Sequence, residues 1–329
     1  MCENVSEHNS RQGSPLVSAV IPTYRRENLL REAVLSVLAQ ESDDVSVEVV
    51  VVNDAGGRLA RADWQADPRV QVVSTHRTER SVARNTGAAL ASGEYLHFLD
   101  DDDVALPGAY AALLEPVRAW PEIVLSCGAY ETIEEETGST QRVEPITDGR
   151  LFAALVAGIG IPLGACLIRR LTFWSAGGFD VSFTVMEDLE LLQRLVLQGK
   201  WAGTATPTAR FRVGRHSLST TNWRASSDAC RRQREKAFEM RVCYRKLRDS
   251  LRHPDSAGLR GRLARFYLGS AVRHARACAF ATAAGRSAAG LGLGLLGVVW
   301  PGFWRGFTSR GNTPELLTRK SRNHERRMT

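Results

Sequence analysis

At 329 residues, 43% of them hydrophobic and 24% charged, the chain carries enough apolar material for one large domain or two smaller ones, which excludes the disordered and fibrous classes. The net charge of +7 is moderate but unevenly spread: acidic residues crowd the first two-thirds, and Arg and Lys dominate from about Arg224 onward. The six cysteines (Cys2, Cys127, Cys166, Cys230, Cys243, Cys278) form no C-x-x-C pair, which excludes a zinc ribbon or a disulfide scaffold and favours a reducing, cytoplasmic setting.

Residues 1–14 are polar, lack the apolar core of a signal peptide and read as a disordered lead-in. Residues 17–21 are a β-branched apolar run stopped by Pro22, a first buried strand. From 27 to 40, Leu29, Leu30, Ala33, Val34, Val37 and Leu38 recur at helical spacing. Strands are expected over 47–52 and 70–74, a helix over 81–91 and a further strand over 94–99. A helix over 109–120, a hairpin of 124–133 with 141–143, and a strand over 162–168 follow. Gly177 to Asp180 reads as a turn, and Met186-Glu187-Asp188 opens an amphipathic helix ended by Gly199. Strands alternating with helices at this spacing predict an α/β fold, a mostly parallel sheet flanked by helices.

Polar residues recur where strands end: Thr23 and Tyr24, Asn53 and Asp54, then Asp100-Asp101-Asp102-Asp103 after Leu99. In an open α/β sheet these ends line one crevice, where ligands bind. Four adjacent carboxylates repel one another, and hard divalent cations prefer carboxylate oxygen. The run therefore points to a cation shared with an anionic substrate.

Taken together, Val20-Ile21-Pro22-Thr23-Tyr24, Val51-Val52-Asn53-Asp54, Ala83-Arg84-Asn85-Thr86-Gly87, Phe98-Leu99 with the four aspartates, Gly177-Gly178-Phe179-Asp180, Glu187-Asp188 and Arg215-His216-Ser217-Leu218-Ser219 resemble, in order, the motifs of family 2 inverting glycosyltransferases. The resemblance spans about 17 to 221. It implies the GT-A (nucleotide-diphospho-sugar transferase) fold, a Rossmann-like sheet, over 15–223. It also implies transfer of a sugar from a nucleoside diphosphate sugar to an acceptor hydroxyl with inversion, dependent on Mg²⁺ or Mn²⁺, in polysaccharide, glycolipid or other glycoconjugate synthesis. Carried over residue by residue, Pro22, Thr23, Tyr24, Asp54, Arg84, Asp100 and Asp101 would bind the donor. The D-x-D motif falls on Asp100 and Asp102, with Asp102 and His216 on the metal and Asp103 in a supporting or solvated position. Asp188 would be the catalytic base, with Glu187 and Gly178 on the acceptor side. The acceptor favoured is a saccharide or lipid-linked saccharide. The usual acidic pair after the second strand is Asn53-Asp54 here.

Residues 224–329 are expected to be mainly helical and basic, with cations outnumbering acids about three to one between 224 and 276. Residues 287–304 are apolar, end in Trp300-Pro301-Gly302-Phe303-Trp304 and are flanked by Arg286 and Arg305, which marks a candidate membrane-interface segment. An anionic membrane surface is thus an expected partner, and the expected location is cytoplasmic, peripheral at the inner face of the membrane. Gly292-Leu293-Gly294-Leu295-Leu296-Gly297 satisfies G-x-G-x-x-G without the preceding strand that a dinucleotide loop needs. No nucleic-acid module is legible. The rival readings are a sugar-1-phosphate nucleotidyltransferase and a non-catalytic protein that binds nucleotide-sugars or anionic surfaces.

Overall fold

The computed structural model describes residues 16–76, 79–214, 223–239, 241–295 and 300–309. Its internal contacts divide them into two units, one of 16–145, 162–187 and 198–214, the other of 146–161, 188–197 and the described residues from 223 onward.

The first unit is built on a mixed nine-stranded sheet. Its parallel half runs β3 (Val70–Ser74), β2 (Ser46–Asn53), β1 (Leu16–Thr23), β4 (Tyr95–Phe98). Beyond β4 come β8 (Cys166–Arg169), β6 (Ile123–Glu134), β9 (Lys200–Val213) and β5 (Val104–Ala105), with β7 (Thr140–Val143) hairpinned onto β6. Val17, Ala19 and Ile21 face a core made with Leu30, Ala33, Val34 and Val37 of α1 (Glu27–Leu38) and Tyr110, Leu113 and Val117 of α3 (Ala109–Ala119). On the other face lies α2 (Arg80–Leu90), set so close that a Cβ on Gly87 would sit 2.4 Å from Val20 and 3.0 Å from Val52. Both faces being covered, β1 and β2 read as continuous apolar runs rather than alternating ones. The expected α/β architecture is the observed one.

Two local expectations shift. The strand expected over 162–168 starts only at Cys166, because Leu163–Ala165 form a 3-10 turn after Pro162, and the short α5 (Arg170–Ser175) follows it. The fourteen-residue β9 has no clean signal in the sequence: Gly203 and Pro207 interrupt it, and its extended form is imposed by pairing with β6 across register shifts at Gly128–Tyr130.

The second unit is helical. α4 (Leu151–Val156) ends in carbonyls of Val156 and Ala157 that accept from Arg234 (3.0 and 2.8 Å) on α7 (Trp223–Glu239). α6 (Glu187–Gln198) contributes residues 188–197, and α8 (Arg241–Ser250) precedes three packed helices, α9 (Ala257–Arg276), α10 (Phe280–Leu295) and α11 (Pro301–Thr308). Here glycine sets the spacing: a Cβ on Gly306 would meet the Gly258 carbonyl, and one on Gly290 would meet Leu268 at 2.7 Å. Gly292 and Gly294 lie inside α10 with open space around them, so residues 292–295 of the glycine-rich run are helix, whereas Leu296 and Gly297 lie outside the described residues. Among the described residues, no helix is long and apolar enough to cross a membrane.

Candidate active site

The parallel strands deliver three polar loops to one edge of the sheet. Thr23 and Asn53, the last residues of β1 and β2, are direct partners, and the Asp54 amide donates to the Thr23 carbonyl (2.9 Å). Asn53 folds the next turn by donating to Gly57 (2.6 Å) and accepting from Ala55 (3.1 Å). Asp54 is buried, and its carboxylate accepts from the Thr75 hydroxyl (2.7 Å). Pro22 is buried in β1, whereas Tyr24 stands exposed beneath the Arg25 guanidinium, 5.3 Å from its ring.

The four aspartates do not behave as one cluster. Asp101 turns inward, where it accepts from the Thr23 hydroxyl (2.7 Å) and lies 3.4 Å from Arg26. Asp102 pairs with the same Arg26 nitrogen at 2.5 Å. Asp103 is buried as well, accepting from the Arg212 amide (3.2 Å), while the Arg212 side chain donates to the Asp102 carbonyl (2.9 Å) and to Glu32 (2.6 Å). Carboxylate oxygens of Asp100, Asp102 and Asp103 all lie within 4.8 Å of one another. Asp103 is therefore neither solvated nor remote, and it joins Asp100 and Asp102 as a third oxygen donor.

Charge explains how this crowding is tolerated. Burial, then the charges of Asp100 and Asp102, push the Asp103 carboxyl up to about 9. Burial pushes Asp101 up to about 6 against the pull of Thr23 and Arg26. Burial acts on Asp100 too, but the Arg84 guanidinium beside it, helped by Arg80 and Arg26, holds its carboxyl below the ordinary range. Three carboxylates this close ionise together only beside a cation, and an all-oxygen set suits Mg²⁺ or Mn²⁺.

Arg84 is the hinge pin of the edge. Its side chain, 5% exposed, donates to Asp100 (2.6 Å) from one terminal nitrogen and to Glu187 (2.8 Å) from the other, with its guanidinium 5.5 Å from the Phe179 ring centre. Its third nitrogen is buried without a hydrogen-bond partner. Glu187, the first residue of α6, is itself buried and also meets Arg80 (3.5 Å). Asn85 pairs with Phe179 in both directions, side-chain amide to carbonyl and backbone amide to side-chain oxygen, each 2.9 Å. Gly178 (φ +65°) packs so close that a Cβ would lie 2.8 Å from Asn85. Residues Arg80, Ser81, Arg84 and Asn85 thus bind the 178–187 segment to α2, which gives the Ala83-Arg84-Asn85 motif its physical content.

Asp188, next in the chain, belongs to the second unit, where its carboxylate accepts from the Leu189 amide (2.7 Å). His216 lies outside the described residues, as do the rest of the Arg215-to-Ser219 motif, the lead-in and the end of the tail. Arg25, Glu79 and Met186 hold positive φ (57°, 79° and 62°), a strained conformation for residues with side chains that gathers in the loops beside these motifs. Sequence reasoning passed over Arg26 and Arg80 as site residues. Arg26, a cation directly after a strand-end motif, carried a usable signal.

Residues 18–172 match the family model described as Glycosyl transferase family 2. This part of the chain is similar to family 2 glycosyltransferases. The chain is 32% identical to the uncharacterized glycosyltransferase EpsJ of Bacillus subtilis over 121 residues, which cover 36% of this chain and 35% of that one. An uncharacterized glycosyltransferase of Haemophilus influenzae is 27% identical over 236 residues, 68% of this chain and 79% of the relative. The GalNAc(5)-diNAcBac-PP-undecaprenol beta-1,3-glucosyltransferase of Campylobacter jejuni is 31% identical over 107 residues, 31% of this chain and 34% of the relative. The chain thus spans about a third of two of these relatives and about four-fifths of the third. Its fold is similar to the crystal structure of S. aureus TarS 1-349, with a TM-score of 0.55 at 12% identity, covering 82% of this chain and 90% of that one. The two chains therefore share a fold where they share little sequence.

Proposed function

We propose that the domain moves a sugar from a nucleoside diphosphate sugar to an acceptor hydroxyl with inversion, and that Mg²⁺ or Mn²⁺ is required. The observation that carries this reading is the convergence of Thr23, Asp54, Arg84 and the Asp100–Asp103 run at one sheet edge. Asp100, Asp102 and Asp103 would hold the ion, whose charge neutralises the leaving diphosphate when it is bound. Asp54, fixed by Thr75, would lie against the base, and Pro22, Thr23 and Tyr24 would border the nucleotide. Arg84 keeps Asp100 ionised and turned outward. Glu187, expected on the acceptor side with Gly178, is engaged by Arg84 and Arg80, so we assign it to anchoring the start of α6.

Asp188 is the residue we assign as general base. A hydroxyl is a poor nucleophile at neutral pH, and a carboxylate within hydrogen-bond reach takes its proton as attack proceeds. One displacement by the acceptor inverts the anomeric carbon, and no second nucleophilic carboxylate is needed. The acceptor is a saccharide or lipid-linked saccharide, a reading supported by the C. jejuni relative's named lipid-linked substrate. Exposed Leu291, Leu295, Trp300 and Trp304, beside an Arg-rich chain without Asp or Glu between 256 and 314, support peripheral contact with an anionic membrane.

The deciding experiment screens UDP-, GDP- and dTDP-sugars for Mn²⁺-dependent thermal stabilisation, then follows transfer with Asp188→Asn. Stabilisation abolished by EDTA, with turnover lost by about 100- to 10,000-fold in the variant and donor binding retained, is expected. Wild-type turnover in Asp188→Asn would refute the base assignment. Sedimentation with phosphatidylglycerol vesicles, lost in the doubly substituted Trp300→Ala, Trp304→Ala protein, tests the membrane contact.

A further inference from the structure

Two arginine side chains pair with carboxylates of the aspartate run, and they are built differently. Arg84 is 5% exposed and bonded at both ends, so it cannot leave without stranding Asp100 and Glu187. Arg26 is 48% exposed, sits in the loop ahead of α1 after the positive-φ Arg25, and touches only Asp101 and Asp102 among the hydrogen bonds and ion pairs described. Its nitrogen lies 2.5 Å from the Asp102 Oδ2.

A divalent ion binds carboxylate oxygen at about 2.0–2.1 Å for Mg²⁺. An ion on that same Oδ2 would sit within about 5 Å of the Arg26 guanidinium, two cations contending for one oxygen. Arg26 has somewhere to go. Its loop opens at the sheet edge where the nucleotide would lie, and a guanidinium matches the geometry of phosphate oxygens.

We infer that Arg26 is an internal counter-cation which the metal displaces from Asp102 and which then binds the donor's diphosphate. Resting on the metal-dependent reading above, this makes metal and donor bind in concert. Metal alone must expel Arg26 with nothing to receive it, whereas a diphosphate supplies the new partner. By linkage, each ligand then raises the affinity of the other by the same factor.

The test measures Mn²⁺ binding to the full chain by electron paramagnetic resonance, with Mn²⁺ alone and then with UDP, GDP or dTDP. In the wild type, one of the nucleotides should tighten Mn²⁺ binding by about tenfold or more, in the range usual for coupled sites. Arg26→Ala should bind Mn²⁺ alone about tenfold more tightly than the wild type and gain little from any nucleotide. Arg26→Lys, which keeps the charge, should follow the wild type with Mn²⁺ alone. Loss of a merely structural contact would weaken metal binding or leave it unmoved. The inference is overturned if Arg26→Ala binds Mn²⁺ as the wild type does or more weakly. If the wild type binds no Mn²⁺, or binds it no better than Asp102→Ala, the metal-dependent reading itself fails and takes the inference with it.

Discussion

The strand edge of the first unit and the helices of the second have opposite charge problems. At the edge, four consecutive carboxylates are met by arginines from three separate elements: Arg26 before α1, Arg84 on α2 and Arg212 on β9. Negative charge remains in excess, and the Asp103 carboxyl resists ionisation. In the helical layer the chain has eight Arg and no Asp or Glu from 256 to 314. There one carboxylate, Glu235 of α7, serves buried Arg286 (2.7 Å), Arg273 (3.8 Å), His274 (3.9 Å) and the Ser270 hydroxyl. An excess of anion at a strand edge calls for a cation and supplies chemistry. An excess of cation in the helices is met by backbone carbonyls and by a carboxylate shared among several partners.

Glu235→Gln should show the largest effect on stability, because it takes the charged partner from buried Arg286. About 3–5 kcal/mol is expected, read as loss of hydrogen-exchange protection in α9 and α10 with β1–β4 unaffected. Equal loss in both regions would erase the contrast.

Acid should separate the regions next. His97 is buried between the Tyr110 hydroxyl and the Gly164 carbonyl, each at 2.8 Å, and burial lowers its pKa to about 4. Below about pH 6.5 the unfolded chain takes up a proton that the folded chain refuses, so stability falls between pH 6.5 and 4, by up to about 3 kcal/mol. Glu235 is shifted down as well, but its window lies lower. Burial raises its pKa, but Ser270 and Arg286 outweigh burial and hold it below the ordinary value, so its contribution persists above pH 4.5 and fades only below that. The raised carboxyls of Asp101 and Asp103 gain stability over the same range, so exchange from pH 7 to 4 should show β4 loosening before the helices in the doubly substituted Asp101→Asn, Asp103→Asn protein, where that opposing gain is removed.

Asp102→Ala should weaken Mn²⁺-dependent donor binding by at least about tenfold to a hundredfold, measured calorimetrically, without lowering the melting temperature. Thr23→Val should cost least, about 1–2 kcal/mol, by leaving the buried Asp101 oxygen without its donor. A melting temperature unchanged in this variant would show that Asp101 is held by Arg26 instead.

The sequence by itself determined the alternating architecture, the strand ends that carry polar residues and the membership of the aspartate run in a cation-seeking edge. These are local signals: β-branched runs, helical spacing and adjacent like charges are legible without knowing what packs where. It also carried the order of the motifs, and with it the resemblance to family 2. Tertiary structure alone decided which aspartates face which partner. Side chains in an irregular loop follow no fixed period, so nothing local turns Asp101 toward Thr23 and sets Asp103 beside Asp100 and Asp102. It likewise decided that Glu187 belongs with Arg84, a contact across 103 positions, and that β9, with its glycine and proline, is extended because β6 requires it. Long-range pairing can override local preference, and that information resides in the partner rather than in the segment itself.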